Sequence, residues 1–200
     1  WVLGSHSDQC LPEMLATVQQ LDKQDPIAYG KPVINPGPRP DDLLVITSAN
    51  GRHCFLMDCP LPCRVVMLDF TGEGFEAGSN PHGFEELSQA CEGMGDAMNV
   101  VWNQLEMPPE GHYISVVCDD VMLRSSDIST ILAIARLHNL SAVQPSVALN
   151  HELCAEYGFL RQRPCVSMHR VPIVEVMAPF IRRDLWDLIM PLNRGIDSAN

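Results

Sequence analysis

The stretch HYISVVCDDVML, His112 to Leu123, decides how this chain is read: an apolar run stops abruptly at two adjacent carboxylates, Asp119 and Asp120. A continuous apolar run of this length is the signature of a strand buried on both faces, as in parallel sheets covered by helices. Open α/β sheets bind their ligands outside the carboxyl ends of the strands, so the two acids fall where a ligand would meet them. A divalent cation and a phosphate-bearing ligand suit such a pair.

The neighbouring sequence repeats the design. Asp42 to Ser48, DLLVITS, is a short β-branched run ending in the turn Ala49-Asn50-Gly51, and Arg64 to Phe70, RVVMLDF, ends at Thr71-Gly72-Glu73-Gly74. Between Phe84 and Leu105 apolar residues recur at threes and fours, which predicts a helix that Gly93 and Gly95 divide into two pieces. Ser125-Ser126-Asp127 is expected to cap a helix whose inner face carries Ile128, Ile131, Leu132 and Ala135, with Asn139 as its stop. Ser141 to Val147 and Val171 to Met177 have strand character, and Arg182 to Met190 looks helical; 150–168 supports no assignment. This alternation predicts an α/β sandwich with a mostly parallel central sheet. No internal repeat is present.

Ahead of this domain, Leu11 to Leu21 has the spacing of a short amphipathic helix, and GKPVINPGPRP, Gly30 to Pro40, breaks regular structure. Residues 1–40 are therefore expected to form an N-terminal helix and Pro-rich linker, and 41–200 the main domain. The chain starts with Trp1 and ends at Asn200 without a closing element. It is expected to be a fragment, with the domain incomplete at its C-terminus.

Composition narrows the partners. A 200-residue chain with 46% hydrophobic residues can bury a substantial core. Its formal charge of -12 argues against nucleic acid or an anionic membrane as the main partner, because both require clustered Lys and Arg. No apolar run approaches the ~20 residues of a membrane span, and the N-terminus lacks the pattern of a signal peptide. The expectation is a soluble chain: cytoplasmic if bacterial, Golgi-lumenal if an upstream anchor exists. Eight cysteines include the close trio Cys54, Cys59 and Cys63, but no paired CxxC spacing, so reduced thiols are the simpler reading against a metal or disulfide cluster.

On spacing alone, Asp119-Asp120 is also what a solvated loop offers. The strand before it and the capped helix after it raise its weight. Taken together, VVCDDVML, the helix DISTILAIARLHNL, the segment SAVQPSVALN and VPIVEVMAPFIRRDLW resemble the glycosyltransferase-like domain of unknown function found in plants and bacteria, whose plant members are labelled lysine-ketoglutarate-reductase trans-splicing-related. The resemblance covers roughly residues 42 to 197 and rests on four blocks in fixed order.

It implies a GT-A-like fold, a nucleotide-diphospho-sugar transferase sandwich in which the acidic motif holds Mn²⁺ or Mg²⁺ and the donor diphosphate. By position, Asp120 is the first metal ligand and Asp119 the second. Cys118 stands where the family often has another acid, and a thiolate is a poor partner for Mg²⁺. The resemblance also points to Thr47, Ser48, Asn50 and Asp69 as nucleotide contacts, although each serves equally as a turn residue. Asp96 either touches the nucleotide or solvates a helix break. Gln144 either bonds a sugar or ribose hydroxyl or satisfies a strand end.

Glu175, flanked by Val174 and Val176, is a candidate general base whose pKa burial would raise, with fixing of an acceptor or loop as the alternative role. A residue near Asp197 is the second candidate base. Arg182 and Arg183 are weaker candidates for diphosphate, and His151 and His169 lack zinc-ligand spacing. The expected activity is metal-dependent transfer of a sugar from a nucleotide-diphosphate donor to a hydroxyl acceptor on a glycan or small molecule. Two rivals remain: a non-catalytic nucleotide-sugar or carbohydrate-binding module of the same fold, and a metal-dependent phosphotransferase or hydrolase.

Overall fold

Six consecutive residues, Leu43–Ser48, are buried and form strand β2. Leu44 and Ile46 enter one apolar cluster, while Leu43 and Val45 enter another, as the two-residue side-chain period of a strand requires. A strand of this kind needs cover on both faces. Helix α1 (Met94–Gln104) supplies it on one side through Ala97, Met98 and Val101, joined by Trp186 of α3 (Arg183–Ile189). On the other side, α2 (Ser125–Leu137) contributes Ile128, Ile131, Leu132 and Ala135.

The computed structural model describes residues 2–3, 37–146, 160, 168–169, 171 and 173–192. Within them, β3 (Arg64–Asp69), β4 (Glu85–Ser88), β5 (Tyr113–Val117), β6 (Ala142–Pro145) and β8 (Phe180–Arg182) join β2 in the order β4-β3-β2-β5-β8-β6. Two-residue strands β1 (Val2–Leu3) and β7 (Met168–His169) extend the β6 edge. β4, β3, β2 and β5 run parallel, and β8 runs antiparallel between β5 and β6. The expected mixed α/β architecture with a mostly parallel sheet is present.

The chain leaves β2 outward to β3 and β4, then returns to place β5 on the other flank of β2. The strand order therefore reverses between β2 and β5. At the opposite, amino-terminal edge, Asp42 ties the layers together: it accepts hydrogen bonds from Tyr113 N at 2.9 Å and Arg39 N at 2.7 Å, and it pairs with Arg136 of α2. Both side chains of that pair are almost fully buried.

Three element expectations are corrected. Glu85–Ser88, read as the start of a long helix, pairs with Val66–Asp69 as an edge strand, and helix begins only at Met94; Gly95 lies inside it without dividing it. The last strand is Phe180–Arg182 rather than Val171 to Met177, because Phe180 and Ile181 are the residues whose alternation feeds both apolar clusters. The cap of α2 is only in part the local one expected: Asp127 Oδ2 accepts from Arg124 N at 3.2 Å, while the distant Asp58 carboxylate accepts from the Ser125 hydroxyl at 2.7 Å and from the Ser126 amide at 2.9 Å. Asn139, the expected stop, does follow the helix with φ 50°. The predicted helix over Leu11 to Leu21 lies outside the described residues.

Candidate functional site

Strand β5 ends at Val117, and the next four residues reverse the chain through a bond from Val121 N to Cys118 O at 3.1 Å. Asp119 and Asp120 occupy the middle of this turn, at the carboxyl edge of the sheet. Two neighbours hold it. Cys54, in the long connection from β2 to β3, donates its amide to Asp119 O at 2.7 Å, and Cys118 donates its own to Met177 O at 2.8 Å. The β2–β3 connection continues alongside, with Leu56 N bonded to Leu123 O at 2.9 Å.

Neither the Asp119 nor the Asp120 carboxylate takes a hydrogen bond or an ion pair from another described residue, whereas Asp69 and Asp58 each accept several hydrogen bonds. Asp69 is fully buried at the end of β3, and its oxygens accept from Asn50 N, Thr71 N, Thr71 Oγ1, Gly74 N and Ser88 Oγ at 2.8–3.1 Å. Burial alone pushes the Asp69 carboxyl up; the bonds from Thr71, Asn50, Gly74 and Ser88 together outweigh it and hold the group well below the usual carboxylate range.

The residues proposed to contact a nucleotide are thus of two kinds. Thr47 and Ser48 are buried, and their hydroxyls donate to Val117 O at 3.1 Å and Leu68 O at 3.4 Å, which stitches β2 to its neighbours. Asn50, with φ 55°, donates its amide nitrogen to Thr71 Oγ1 and Gly74 O, both at 3.2 Å. These groups shape the loops at the sheet edge. Asp96 lies in the first turn of α1, where Oδ2 accepts from Glu92 N at 3.3 Å.

Gln144 and Glu175 arrive at the same edge from the far side. Gln144 is buried near the carboxyl end of β6, and its Oε1 accepts the backbone N–H of Glu175. Glu175 lies just before β8 in a non-strand segment, two residues from the Met177 carbonyl that meets Cys118. The structure therefore gathers Asp119, Asp120, Gln144 and Glu175 along one edge. Asp197 and His151 lie outside the described residues.

Arg182 and Arg183 do not join them. Arg182 pairs in register with Tyr113, so the length of β5, roughly 16 Å at about 3.3 Å per residue, separates it from the acids. Both arginines are engaged there, with Asp184 and Asp187 respectively. A cavity of about 410 Å³ opens at this amino-terminal edge, lined among others by Arg39, Arg136 and Arg182. Two of those three charges are already neutralised by Asp42 and Asp184.

Among the described residues, no group of three or more His, Cys, Asp and Glu side chains comes together to hold a metal. Cys118 is a poor third ligand for a hard cation because its sulfur is soft; with no metal bound, burial, then the charges of Asp120 and Asp119, push its thiol up to about 11. Two carboxylates with open lone pairs suit a hard cation that keeps waters or phosphate oxygens in its other positions. Cys54, Cys59, Cys63, Cys91 and Cys118 are free thiols.

The β2–β3 connection is the partner that sequence reading missed. His53 and Cys54 run beside the acidic turn, and burial, then the neighbouring His82, lower the His53 pKa, keeping the ring neutral at pH 7. Their local sequence has no strand or helix periodicity to mark them. No family model matches the chain, and no curated protein or solved structure matches it either. Among the described residues no helix is long and apolar enough to cross a membrane.

Proposed function

We propose that the protein is a metal-dependent glycosyltransferase that moves a sugar from a nucleotide-diphosphate donor to a hydroxyl acceptor. One observation carries the reading: two adjacent carboxylates, unsaturated by described residues, stand at the carboxyl end of β5, where the strand order reverses. Ligand sites of open α/β sheets concentrate at such reversals.

Asp119 and Asp120 would hold Mn²⁺ or Mg²⁺, which when bound neutralises charge on the departing diphosphate. Glu175 would accept the proton of the attacking hydroxyl in an inverting reaction. The loops after β2 and β3, knotted by Asn50 and Asp69, form the wall against which the nucleotide would lie.

Thermal unfolding with UDP-, GDP- and CMP-sugars, with and without Mn²⁺, tests this. A metal-dependent rise in Tm that Asp120→Ala removes supports the site. Indifference of the wild type to every nucleotide would sink it. A soft cysteine sulfur at Cys118, in the place where the resemblance expects a third acid, favours a second reading: a nucleotide-sugar-binding module without turnover. That reading requires binding with neither donor hydrolysis nor transfer.

A further inference from the structure

We infer that Gln144 is a positioning residue: its amide oxygen fixes the backbone of Glu175 at the carboxyl edge. This deepens the proposed reaction and rests on it for the role of Glu175. The orientation of the amide follows from the contact, since a backbone N–H can be met only by the oxygen. Gln144 is 3% exposed, so its own conformation is set by the sheet around it.

Glu175 is half-buried and none of residues 173–177 is fully buried. Ile173 and Val176 on either side are 56% and 48% exposed, and apolar anchoring begins only at Ala178 and Phe180. Among the described residues, two bonds tie down 175–177, from Glu175 N to Gln144 Oε1 and from Cys118 N to Met177 O. The first ties the segment to β6 and the second ties it to the turn that carries Asp119 and Asp120. Gln144 therefore sets the placement of the Glu175 carboxylate relative to the diacid.

Two substitutions separate this role from ligand contact. Gln144→Met keeps the length of the side chain and removes the acceptor; Gln144→Glu keeps the acceptor. Amide hydrogen exchange at Glu175, read by NMR, is expected to accelerate about tenfold or more in Gln144→Met, the factor a lost hydrogen bond of about 1.4 kcal/mol gives, and to stay near wild type in Gln144→Glu. Unchanged exchange in Gln144→Met overturns the inference.

With a nucleotide-sugar and acceptor that turn over, kcat of Gln144→Met falls on the order of tenfold to a hundredfold while KM for the nucleotide-sugar stays put. A raised KM at unchanged kcat would make Gln144 a ligand contact and also overturn the inference. If the wild type transfers no sugar, the proposed reaction fails, and exchange at Glu175 still decides whether Gln144 positions it.

Discussion

Asp69 looks from its sequence position like a ligand contact, and its surroundings make it a knot instead. Five donors from residues 50, 71, 74 and 88 converge on one buried carboxylate. Asp69→Asn supplies one acceptor oxygen in place of two and faces some of those donors with an NH₂ group. The expected cost is about 1–3 kcal/mol, read from urea unfolding at pH 7. The sign of the pH dependence follows from the depressed pKa. Stability from Asp69 is complete above the unfolded carboxyl value of about 3.9 and drains away as pH falls below it towards the folded value. Acid titration of stability is therefore expected to be shallower below pH ~4 in Asp69→Asn than in the wild type; equal slopes would contradict the assignment. Gly51 supports the same loops with φ 95°, and a Cβ there would sit 2.1 Å from Ser79 Oγ. Gly51→Ala is expected to lower Tm through backbone strain and this clash.

At the scale of elements, long-range polar contacts decided what periodicity left open. The buried strands β2, β3 and β5 and the inner face of α2 were legible because their apolar patterns answer to the layers above and below them. Edge strand β4 was not: Glu85 and Glu86 are exposed, so no alternation marks it, and its identity depends on pairing with β3. The Asp127 part of the α2 cap was legible, but the Asp58 part was equally hidden, because Asp58 lies 67 residues before Ser125. Hydrogen bonds from the Ser126 and Ser125 side chains keep the Asp58 carboxylate ionised well below the usual range. Asp58→Ala is expected to lower Tm by exposing the N-terminal amides of α2, with Asp58→Asn recovering part of the loss. Further along the same helix, Arg136 reaches Asp42 at 2.7 Å, lies 5.1 Å from the Tyr113 ring centroid and bonds Gly37 O at 2.9 Å. Arg136→Met strands a buried carboxylate and is expected to cost about 3–5 kcal/mol. Adding Asp42→Asn should return part of that cost, and a double-mutant cycle measured by urea unfolding gives the coupling; strict additivity would contradict a direct pair.

Across the whole molecule, the two edges of the sheet differ in how charge is balanced. Arg64 with Glu85, Arg136 with Asp42, Arg182 with Asp184 and Arg183 with Asp187 all pair at the amino-terminal edge or just beyond it. At the carboxyl edge Arg52 pairs with Glu76, while Asp119 and Asp120 meet no basic side chain among the described residues. In a chain of net charge -12, two adjacent carboxylates without a basic partner among the described residues favour an approaching cation. Sequence placed the two acids at a strand end; the reversal of strand order and the Gln144–Glu175 contact needed the assembled sheet. The asymmetry predicts where protection should appear. Hydrogen exchange with Mn²⁺ and a stabilising nucleotide-sugar is expected to slow in residues 49–54, 118–124 and 173–179. Residues 108–112 and 182–184, at the other edge, should exchange as before. Asp119→Asn with Asp120→Asn should abolish the Mn²⁺-dependent part and leave the fold intact, because neither carboxylate carries a hydrogen bond from a described residue. Protection centred on Arg39, Tyr113 and Arg182 would instead move the ligand site to the cavity at the amino-terminal edge.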